Sequence, residues 1–288
     1  MSAAPSAART ARVRLPRLRS GMTSRWPVTV LVLLAGWLVA GQALSPWSPQ
    51  TIDWTVSAPS APALAHAHWL GTDVLGRDAY ARVVAGARLS LGLALAAALV
   101  SVTLGCLVGI AAGFIGGGVD AVLMRTVDVC YALPQVFLIL MLVGVLGRGP
   151  LAVLIGISCT GWLAAARVLR AESQLLRERE FLAAARAIGM SPVRILWRHV
   201  VPNLRGPIGA CLTIAVPQFV VLEGFMSFLG LGVQEPQASL GNLLAQATAH
   251  LERAPWLLAG PALVLVLTVL CLNTLADRIE RARRGRGA

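Results

Sequence analysis

Six stretches of the sequence contain no charged residue and are long enough to cross a lipid bilayer as helices. They cover residues 26–52, 89–119, 129–147, 149–166, 206–222 and 254–276. Crossing the hydrocarbon layer of about 30 Å takes roughly 17–25 apolar residues in an α-helix. A helix also satisfies its own backbone hydrogen bonds, which lipid cannot do. The pattern predicts an all-α, polytopic integral membrane protein with about six transmembrane helices.

The composition agrees with a protein whose main surroundings are the lipid bilayer. Hydrophobic residues make up 57% of the 288 residues and charged residues only 13%. A soluble globular domain carries about 25% charged residues, and disordered chains are poor in hydrophobic residues. The first stretch is not expected to be a cleaved signal peptide, because residues 42–49 lack a clear small-x-small cleavage site and further spans follow.

All 25 basic residues are arginines, and the formal net charge is +12. Such a charge often indicates a nucleic-acid partner. The positions of the arginines explain it differently: with both termini in the cytoplasm, 20 arginines lie inside and five outside. This is the positive-inside pattern of multi-pass membrane proteins. We therefore expect cytoplasmic termini and no nucleic-acid partner.

The residue types also argue against an enzyme. Without lysine the chain cannot form a P-loop, and it contains neither an HExxH zinc motif nor a GxSxG elbow. All five cysteines lie in or at the edge of apolar stretches, where they act as small hydrophobic residues rather than metal ligands. The sequence thus predicts no catalytic residue, no metal site and no directly bound cofactor.

The distribution of charge divides the chain into five parts. These are an Arg-rich cytoplasmic tail (1–25), a first transmembrane helix (26–47), an extracytoplasmic loop (48–87), a core with five transmembrane helices (88–277) and a second cytoplasmic tail (278–288). The core contains a strongly charged cytoplasmic loop at about 171–205. In that loop the helix formers of 172–188 predict one helix, which Gly189 would end in a left-handed conformation.

A second short helix should follow, with Ser191 as its cap and Pro192 in its first turn. Its apolar residues Val193, Leu196, Trp197 and Val200 would share one face, with Arg194 and Arg198 off that face and Pro202 ending the helix. The residues alone allow three uses for this loop. It could lie on the inner leaflet, pack on the protein's own helices, or enter a groove on a soluble partner.

The segment LAAARAIGMSPVRILWRHVVPN (182–203) resembles the EAA loop of permease subunits of binding-protein-dependent ABC importers. In that family a Glu-Ala-Ala triplet is separated by three residues from a glycine, and a proline element follows. The corresponding residues here are Ala183, Ala184, Ala185, Gly189 and Pro202. The sequence departs from the family in having Ala183 in place of the glutamate. Glu180, one helical turn earlier, is a candidate substitute.

Two further segments are similar to the second, C-type, permeases of dipeptide, oligopeptide and nickel importers. They are HWLGTDVLGRDAYARVVAGARLSLG (68–92) and GFMSFLGLGVQEPQASLGNLLAQ (224–246), and the C-terminal LNTLADRIE (272–280) also fits. The resemblance covers about 69–277 and implies a type I ABC importer transmembrane domain in a bacterial inner membrane.

The resemblance implies a transport subunit that works with other chains. Its expected partners are a homologous permease, in a heterodimer, two cytosolic ABC ATPase subunits that use the ATP, and an extracytoplasmic substrate-binding protein. The cargo would be di- or oligopeptides or related small solutes such as nickel. The ATPase-coupling residues would be Ala183, Ala184, Ala185, Gly189, Arg194, Trp197, Arg198 and Pro202. A self-sufficient secondary transporter or channel is the alternative, and it would need acidic residues deep in the spans.

Several polar and small residues inside the spans have more than one interpretation. Glu223, near the outer end of the fifth span, is costly there without a partner, so it could face the translocation cavity or reach the outer headgroup region. Our hypothesis is that Glu223 lines the outer half of the pathway. Gly105, Gly109 and Gly113 share one face of the second span, either as a seam with a partner permease or, the favoured interpretation, for packing within the subunit. We also expect kinks at Pro134 and Pro217.

Three smaller sets of polar residues lie at the ends of the spans. Arg125 and Asp128 are expected to form a local ion pair. His66 and His68 are an incomplete ligand set, so no metal is expected there. The outer residues Asp73, Arg77 and Asp78 should brace their loop or meet the binding protein.

Overall fold

The computed structural model describes residues 26–63 and 67–284, and the side chains of 282–284 are not included. The helices are α1 (Trp26–Leu44), α2 (Ala79–Ile115), α3 (Gly117–Tyr131), α4 (Gln135–Leu146), α5 (Pro150–Arg177), α6 (Glu180–Ala187), α7 (Pro192–Ile195), α8 (Val201–Asn203), α9 (Arg205–Phe228), α10 (Leu240–Ala249) and α11 (Trp256–Arg284). A π-helical turn, Leu196–Val200, joins α7 to α8. Within these ranges only isolated β-bridges occur, in the loop before α2.

Five described helices, α1, α2, α5, α9 and α11, are long and apolar enough to cross a membrane. α3 and α4 together supply a sixth candidate span, but they are bent by 84° where they meet. Pro134 lies at this break and precedes the first residue of α4. Proline has no N–H to donate, and it disfavours helical geometry in the residue before it. The predicted all-α, polytopic fold is confirmed, with its third span broken at Pro134.

The centre of the fold is a close, parallel contact between α2 and α5. A Cβ atom added to Gly105 would lie 2.5 Å from the Cβ of Ala165, and one added to Gly109 would clash with the Ala166 carbonyl oxygen. Gly113 likewise lies against the α5 backbone. Such close approach is the usual role of glycines spaced four residues apart in lipid. Of the two interpretations of these glycines, packing within the subunit is confirmed.

The remaining long helices complete the core around this pair. Buried alanines of α2 pack with Ile139 of α4, Ile157 of α5 and Phe219 of α9. At the end of the bundle where α2 begins, the Leu240 N–H of α10 donates to Ser90 Oγ at 3.0 Å. The α1–α2 loop (45–78) and α10 therefore lie at one end of the bundle. α3 and the segment between α5 and α9 lie at the other.

Two helix boundaries differ from the predicted ones. α2 begins at Ala79, well before the predicted span. The predicted single helix over 172–188 is wrong, because α5 continues to Arg177 and α6 begins only at Glu180. The chain turns between them so that Leu182 can be buried near Leu169 of α5. Tertiary packing here overrides the helix propensity of the sequence.

The predicted ion pair between Arg125 and Asp128 is also wrong. Asp128 accepts a hydrogen bond of 2.7 Å from Nη2 of Arg167, on α5. Asp120, near the start of α3, is joined to Nε and Nη2 of Arg170 at 2.5 and 2.6 Å. Both carboxylates thus attach α3 to α5 instead of pairing within α3.

Candidate functional site

The predicted coupling residues all lie between α5 and α9, in residues 178–204, which we name the α5–α9 connection. Gly189 has a φ of +78°, in the left-handed region. Its N–H donates to the Arg186 carbonyl at 3.0 Å, and the Met190 N–H donates to the Ala185 carbonyl at 3.1 Å. These two bonds form a Schellman motif. Gly189 therefore ends α6 as predicted.

The second half of the connection is less regular than predicted. Ser191 caps α7 by accepting from the Arg194 N–H at 3.4 Å, and Pro192 occupies the first turn, as expected. The chain then widens into the π-helical turn, and Pro202 lies inside α8 instead of ending a regular helix. A proline ring crowds the carbonyl four residues earlier, here that of Arg198, and a wider turn gives it room.

One side of the connection is fixed to the transmembrane helices. Its apolar side chains form a buried cluster with one residue from α2 and one from α5. The members are Leu182, Ala185, Ile195, Val200 and Leu204, with Ile110 and Leu169. Side chains packed in this way hold the backbone of a loop in one position. This buried cluster, which we name the platform, holds the connection in place at its end of the bundle.

The other side of the connection carries large apolar groups that are open to the surroundings. Ile188 is 78% exposed, and Val193 and Trp197 are each 66% exposed. Arg194 and Arg198 are exposed between them. These five residues form what we name the exposed face. The predicted apolar stripe is thus divided, because Val200 is buried while Val193 and Trp197 point outward.

The structure also separates the members of the alanine triplet. Ala183 and Ala184 are exposed, whereas Ala185 is buried against the platform. Glu180 is exposed in the first turn of α6, where a carboxylate interacts favourably with the helix dipole. Ile188, the most exposed large apolar residue of the connection, was not among the predicted coupling residues. Its only signal was its place directly before Gly189.

At the opposite end of the bundle, two arginines and two acidic residues form what we name the arginine–carboxylate network. Arg77 Nε lies 2.7 Å from Asp73 Oδ2, and its Nη1 contacts Glu235. Arg82, which is fully buried, lies 3.0 Å from Glu235 through Nη2 and 3.4 Å from Asp73 through Nε. Partial burial favours the neutral form of Glu235, but the two guanidinium groups outweigh it and keep its pKa below the ordinary value. The predicted bracing role of Asp73 and Arg77 is confirmed.

His68 is the second brace of the α1–α2 loop. It is buried, with Nδ1 2.9 Å from Asp78 Oδ1 and Nε2 3.2 Å from Asp53 Oδ2. Asp78 also caps α2 by accepting from the Ala81 N–H at 2.8 Å. Both ring nitrogens of His68 are thus engaged by carboxylates. Its predicted neighbour, His66, lies outside the described residues.

Glu223 lies five residues before the end of α9, as the sequence predicts. Its side chain is fully buried and accepts a hydrogen bond of 2.8 Å from the Ser227 hydroxyl. Ser90 of α2 lies close to the same carboxyl group. Within this subunit the carboxyl group is therefore enclosed between α2 and α9, and the role of Glu223 in the pathway stays a prediction.

A cleft of about 330 Å³ opens at the break between α3 and α4. Its polar lining includes Gln135, Thr160 and Gln218, from α4, α5 and α9. Gln135 Nε2 donates to Thr160 Oγ1 at 3.1 Å. None of these three residues was predicted from the sequence. The available signal was a polar residue next to each of Pro134 and Pro217 within long apolar stretches.

Comparison with known proteins agrees with this architecture. Residues 101–285 match the family described as "Binding-protein-dependent transport system inner membrane component". The oligopeptide transport system permease protein OppC of Escherichia coli K12 is 38% identical over 94% of this chain and 89% of its own length. OppC of Haemophilus influenzae is 35% identical over 88% and 83%, and OppC of Bacillus subtilis is 36% identical over 75% and 70%.

The fold is also found in a solved transporter. A chain of the inward-facing MetNI methionine ABC transporter superposes with a TM-score of 0.57, at 19% identity, over 70% of this chain and 95% of the other. The helices therefore have the type I ABC importer transmembrane fold. With the family match and the relatives taken together, the chain belongs to the binding-protein-dependent transport system inner membrane components, as a permease of the C-type.

Proposed function

We propose that this chain is the membrane-spanning permease subunit of an ATP-driven oligopeptide importer. The support for the cargo is the similarity to three OppC permeases over most of the chain. In this proposal the protein spans a bacterial inner membrane with both termini in the cytoplasm. It forms half of the translocation pathway, pairs with a homologous permease, and receives peptide from an extracytoplasmic binding protein.

We further propose that the α5–α9 connection docks onto a cytosolic ABC ATPase subunit. The observation that carries this step is the exposed face, in which Trp197, Val193 and Ile188 stand on a buried platform. Tryptophan and arginine are the residues that most often dominate the binding energy of protein interfaces. A surface so apolar that remained in water would be costly, so it needs a cover.

Ala183 stands where the family has a glutamate, so this proposal needs another negative charge on the same surface. Glu180 lies three residues before Ala183 on α6 and is exposed. Residues three apart on a helix are neighbours. We propose that Glu180 makes the contact with the ATPase that the glutamate at position 183 would otherwise make. The arginines of the exposed face supply complementary positive charge.

The test is co-purification of the ATPase subunits with tagged permease, expressed together with the other importer subunits. We expect Trp197→Asp to reduce ATPase recovery at least tenfold, since it places a charge in the centre of the contact. Membrane insertion should be unchanged, because Trp197 is 66% exposed. The matched control is Trp54→Asp, at an 87% exposed tryptophan in the α1–α2 loop.

The outcomes separate the parts of the proposal. Full ATPase recovery with Trp197→Asp would overturn docking through the exposed face. Binding of isolated permease to anionic vesicles, lost in Trp197→Asp while ATPase recovery stays intact, would instead place this face on the inner leaflet. Normal assembly without peptide uptake into vesicles would contradict the proposal that oligopeptides are the cargo, but it would not contradict docking through the exposed face.

A further inference from the structure

The cleft at the α3–α4 break lies within the apolar part of the bundle. Thr160 is eleven residues into the 28-residue α5, and Gln218 is fourteen residues into the 24-residue α9. Both positions are therefore several turns from either end of their helices. Gln135 begins α4 directly after the break. Three hydrogen-bonding side chains thus meet at a depth where lipid offers no hydrogen-bonding partner.

The side chain of Gln218 is the polar exception on an apolar face. α9 exposes Ile214, Val221, Phe225 and Phe228 on the same side of the helix. Gln218 is exposed among them, and no side-chain hydrogen bond joins it to another described residue. An amide facing hydrocarbon without a partner costs several kcal/mol by order of magnitude. The glutamine therefore needs water or a ligand within the cleft.

The backbone around the cleft contributes further polar groups. Pro217 cannot donate a hydrogen bond to the carbonyl four residues before it, so α9 lacks one internal bond next to Gln218. The first N–H groups of α4 have no intrahelical partners, as in any helix, and no side-chain cap at Pro134 satisfies them. Broken helices inside a membrane are tolerated where they are buried in protein or line a water-filled cavity. Because these helix breaks adjoin an open cleft, we interpret them as lining a water-filled cavity.

The chemistry of the lining also defines the ligand class. None of the side chains that line the cleft is charged, and its polar groups are two amides and a hydroxyl, with Tyr131 at the rim stacked against the Arg167 guanidinium. Amides and hydroxyls both donate and accept hydrogen bonds, as peptide main chains do. Because the lining itself carries no fixed charge and Arg167 at the rim is paired with Asp128, acidic and basic side chains of a ligand meet little net attraction or repulsion. The lining can therefore hydrogen-bond the main chain of a peptide without discriminating between acidic and basic side chains.

We propose that Gln135 and Gln218 form a polar step in the translocation pathway that hydrogen-bonds the main-chain amides of a peptide in transit, with Thr160 positioning the Gln135 amide. This inference rests on the proposed peptide-import function and assigns to it residues and a selection rule. The step passes peptides of either charge because recognition is limited to groups that all peptides share.

The test uses the complete importer, with its binding protein, in proteoliposomes loaded with ATP. Uptake of Ala-Ala-Glu-Ala is divided by uptake of Ala-Ala-Arg-Ala, and each variant is compared with the wild type. We expect Gln218→Glu to lower this ratio at least fivefold and Gln218→Lys to raise it at least fivefold. The ratio cancels differences in assembly and in binding-protein preference. Unchanged ratios in both variants would overturn the proposal.

A second measurement does not depend on transport of a chosen peptide. In a cysteine-free background, Gln218→Cys in the complete importer should react with a positively charged, water-soluble methanethiosulfonate, and Ala-Ala-Ala-Ala during turnover should slow the reaction. Val266→Cys, on an exposed position of α11 outside the cleft, should react at least tenfold more slowly. An unreactive Gln218→Cys would show that another chain or lipid fills the cleft and would overturn the proposal. Failure of the wild type to take up any peptide would instead contradict the proposed function, while thiol reactivity still reports on the cleft.

Discussion

Nη2 of Arg82 lies 3.0 Å from Oε1 of Glu235, a residue 153 positions later in the chain. Arg82 is fully buried, and its guanidinium has only Glu235 and Asp73 as acidic partners among the described residues. The pair joins the first turn of α2 to the segment between α9 and α10. A buried guanidinium that loses such a partner keeps its desolvation cost without compensation.

We predict a strong coupling between these two residues. Glu235→Gln should lower the thermal stability of the purified permease, and Arg82→Gln should lower it by less when Glu235 is already replaced. A double-mutant cycle should return a coupling energy of about 1–3 kcal/mol. Additive effects of the two substitutions would show that the contact contributes nothing to stability.

The same coupling should depend on pH. The folded protein holds the pKa of Glu235 below its ordinary value. A carboxyl with a lowered pKa stabilises the fold above its unfolded-state pKa, and this contribution is lost as pH falls through the folded-state value. The coupling energy should therefore be constant from pH 8 to pH 5 and should decrease below about pH 4.3. Thermal unfolding of the cycle at each pH measures it, and a coupling energy at pH 3 as large as that at pH 8 would contradict the prediction.

Removing the imidazole between Asp53 and Asp78 should destabilise the α1–α2 loop. His68→Leu leaves two buried carboxyl groups without their common partner, at an expected cost of about 3 kcal/mol. His68→Asn should cost less, because its amide can still donate to Asp78 from the place of Nδ1. The order of melting temperatures, wild type above Asn above Leu, is the measurement. Equal temperatures for the two variants would contradict the bridging role.

The glycines of α2 allow a paired test of close packing. Gly109→Ala should destabilise the permease by about 1–3 kcal/mol, because the new Cβ meets the Ala166 backbone. Gly92→Ala, on the same helix, meets nothing within 4 Å and should be neutral or stabilising, since alanine is the better helix former. Thermal unfolding in detergent compares them. A neutral Gly109→Ala would mean that α2 and α5 can separate at no cost.

Gly189 should be needed for its backbone conformation and not for its size. Its φ is +78°, but a Cβ at this position would meet nothing within 4 Å. Gly189→Leu should therefore strain the Schellman motif, move α7 and reduce ATPase co-purification, with membrane insertion intact. Gly189→Asn should retain most of the recovery, because asparagine tolerates the left-handed region. Equal recovery with leucine would contradict a role for this turn in docking.

The spans could be predicted from the sequence because burial in lipid acts on each helix separately. A charge-free apolar stretch is a local property of the sequence. The predicted spans 206–222 and 254–276 therefore correspond to the observed helices α9 and α11. The start of α2 could not be predicted in this way. Arg82 looks like a loop residue by its charge, and the acid that allows its burial, Glu235, is distant in sequence. Only the folded chain brings the two together.

The candidate site shows a similar division between local and distant causes. Gly189 and Ser191 were found correctly, because caps and turns depend on neighbouring residues. The exposure of Trp197 and the burial of Val200 were not, since both follow from the π-helical turn that accommodates Pro202 against the platform. Gln218 was missed for the same reason: its importance depends on a cleft formed by three separate helices.

The glycine contacts along α2 have a mechanical consequence. With 37 residues at 1.5 Å each, α2 is a rod of about 55 Å, and α5 is attached to it over three successive turns. Two helices in such close contact resist bending far better than either alone. We therefore expect a displacement at the end of α5, where Arg177 meets the carbonyl of Ile115, to reach Arg82 as a tilt of both helices. The two ends of the subunit should then move together.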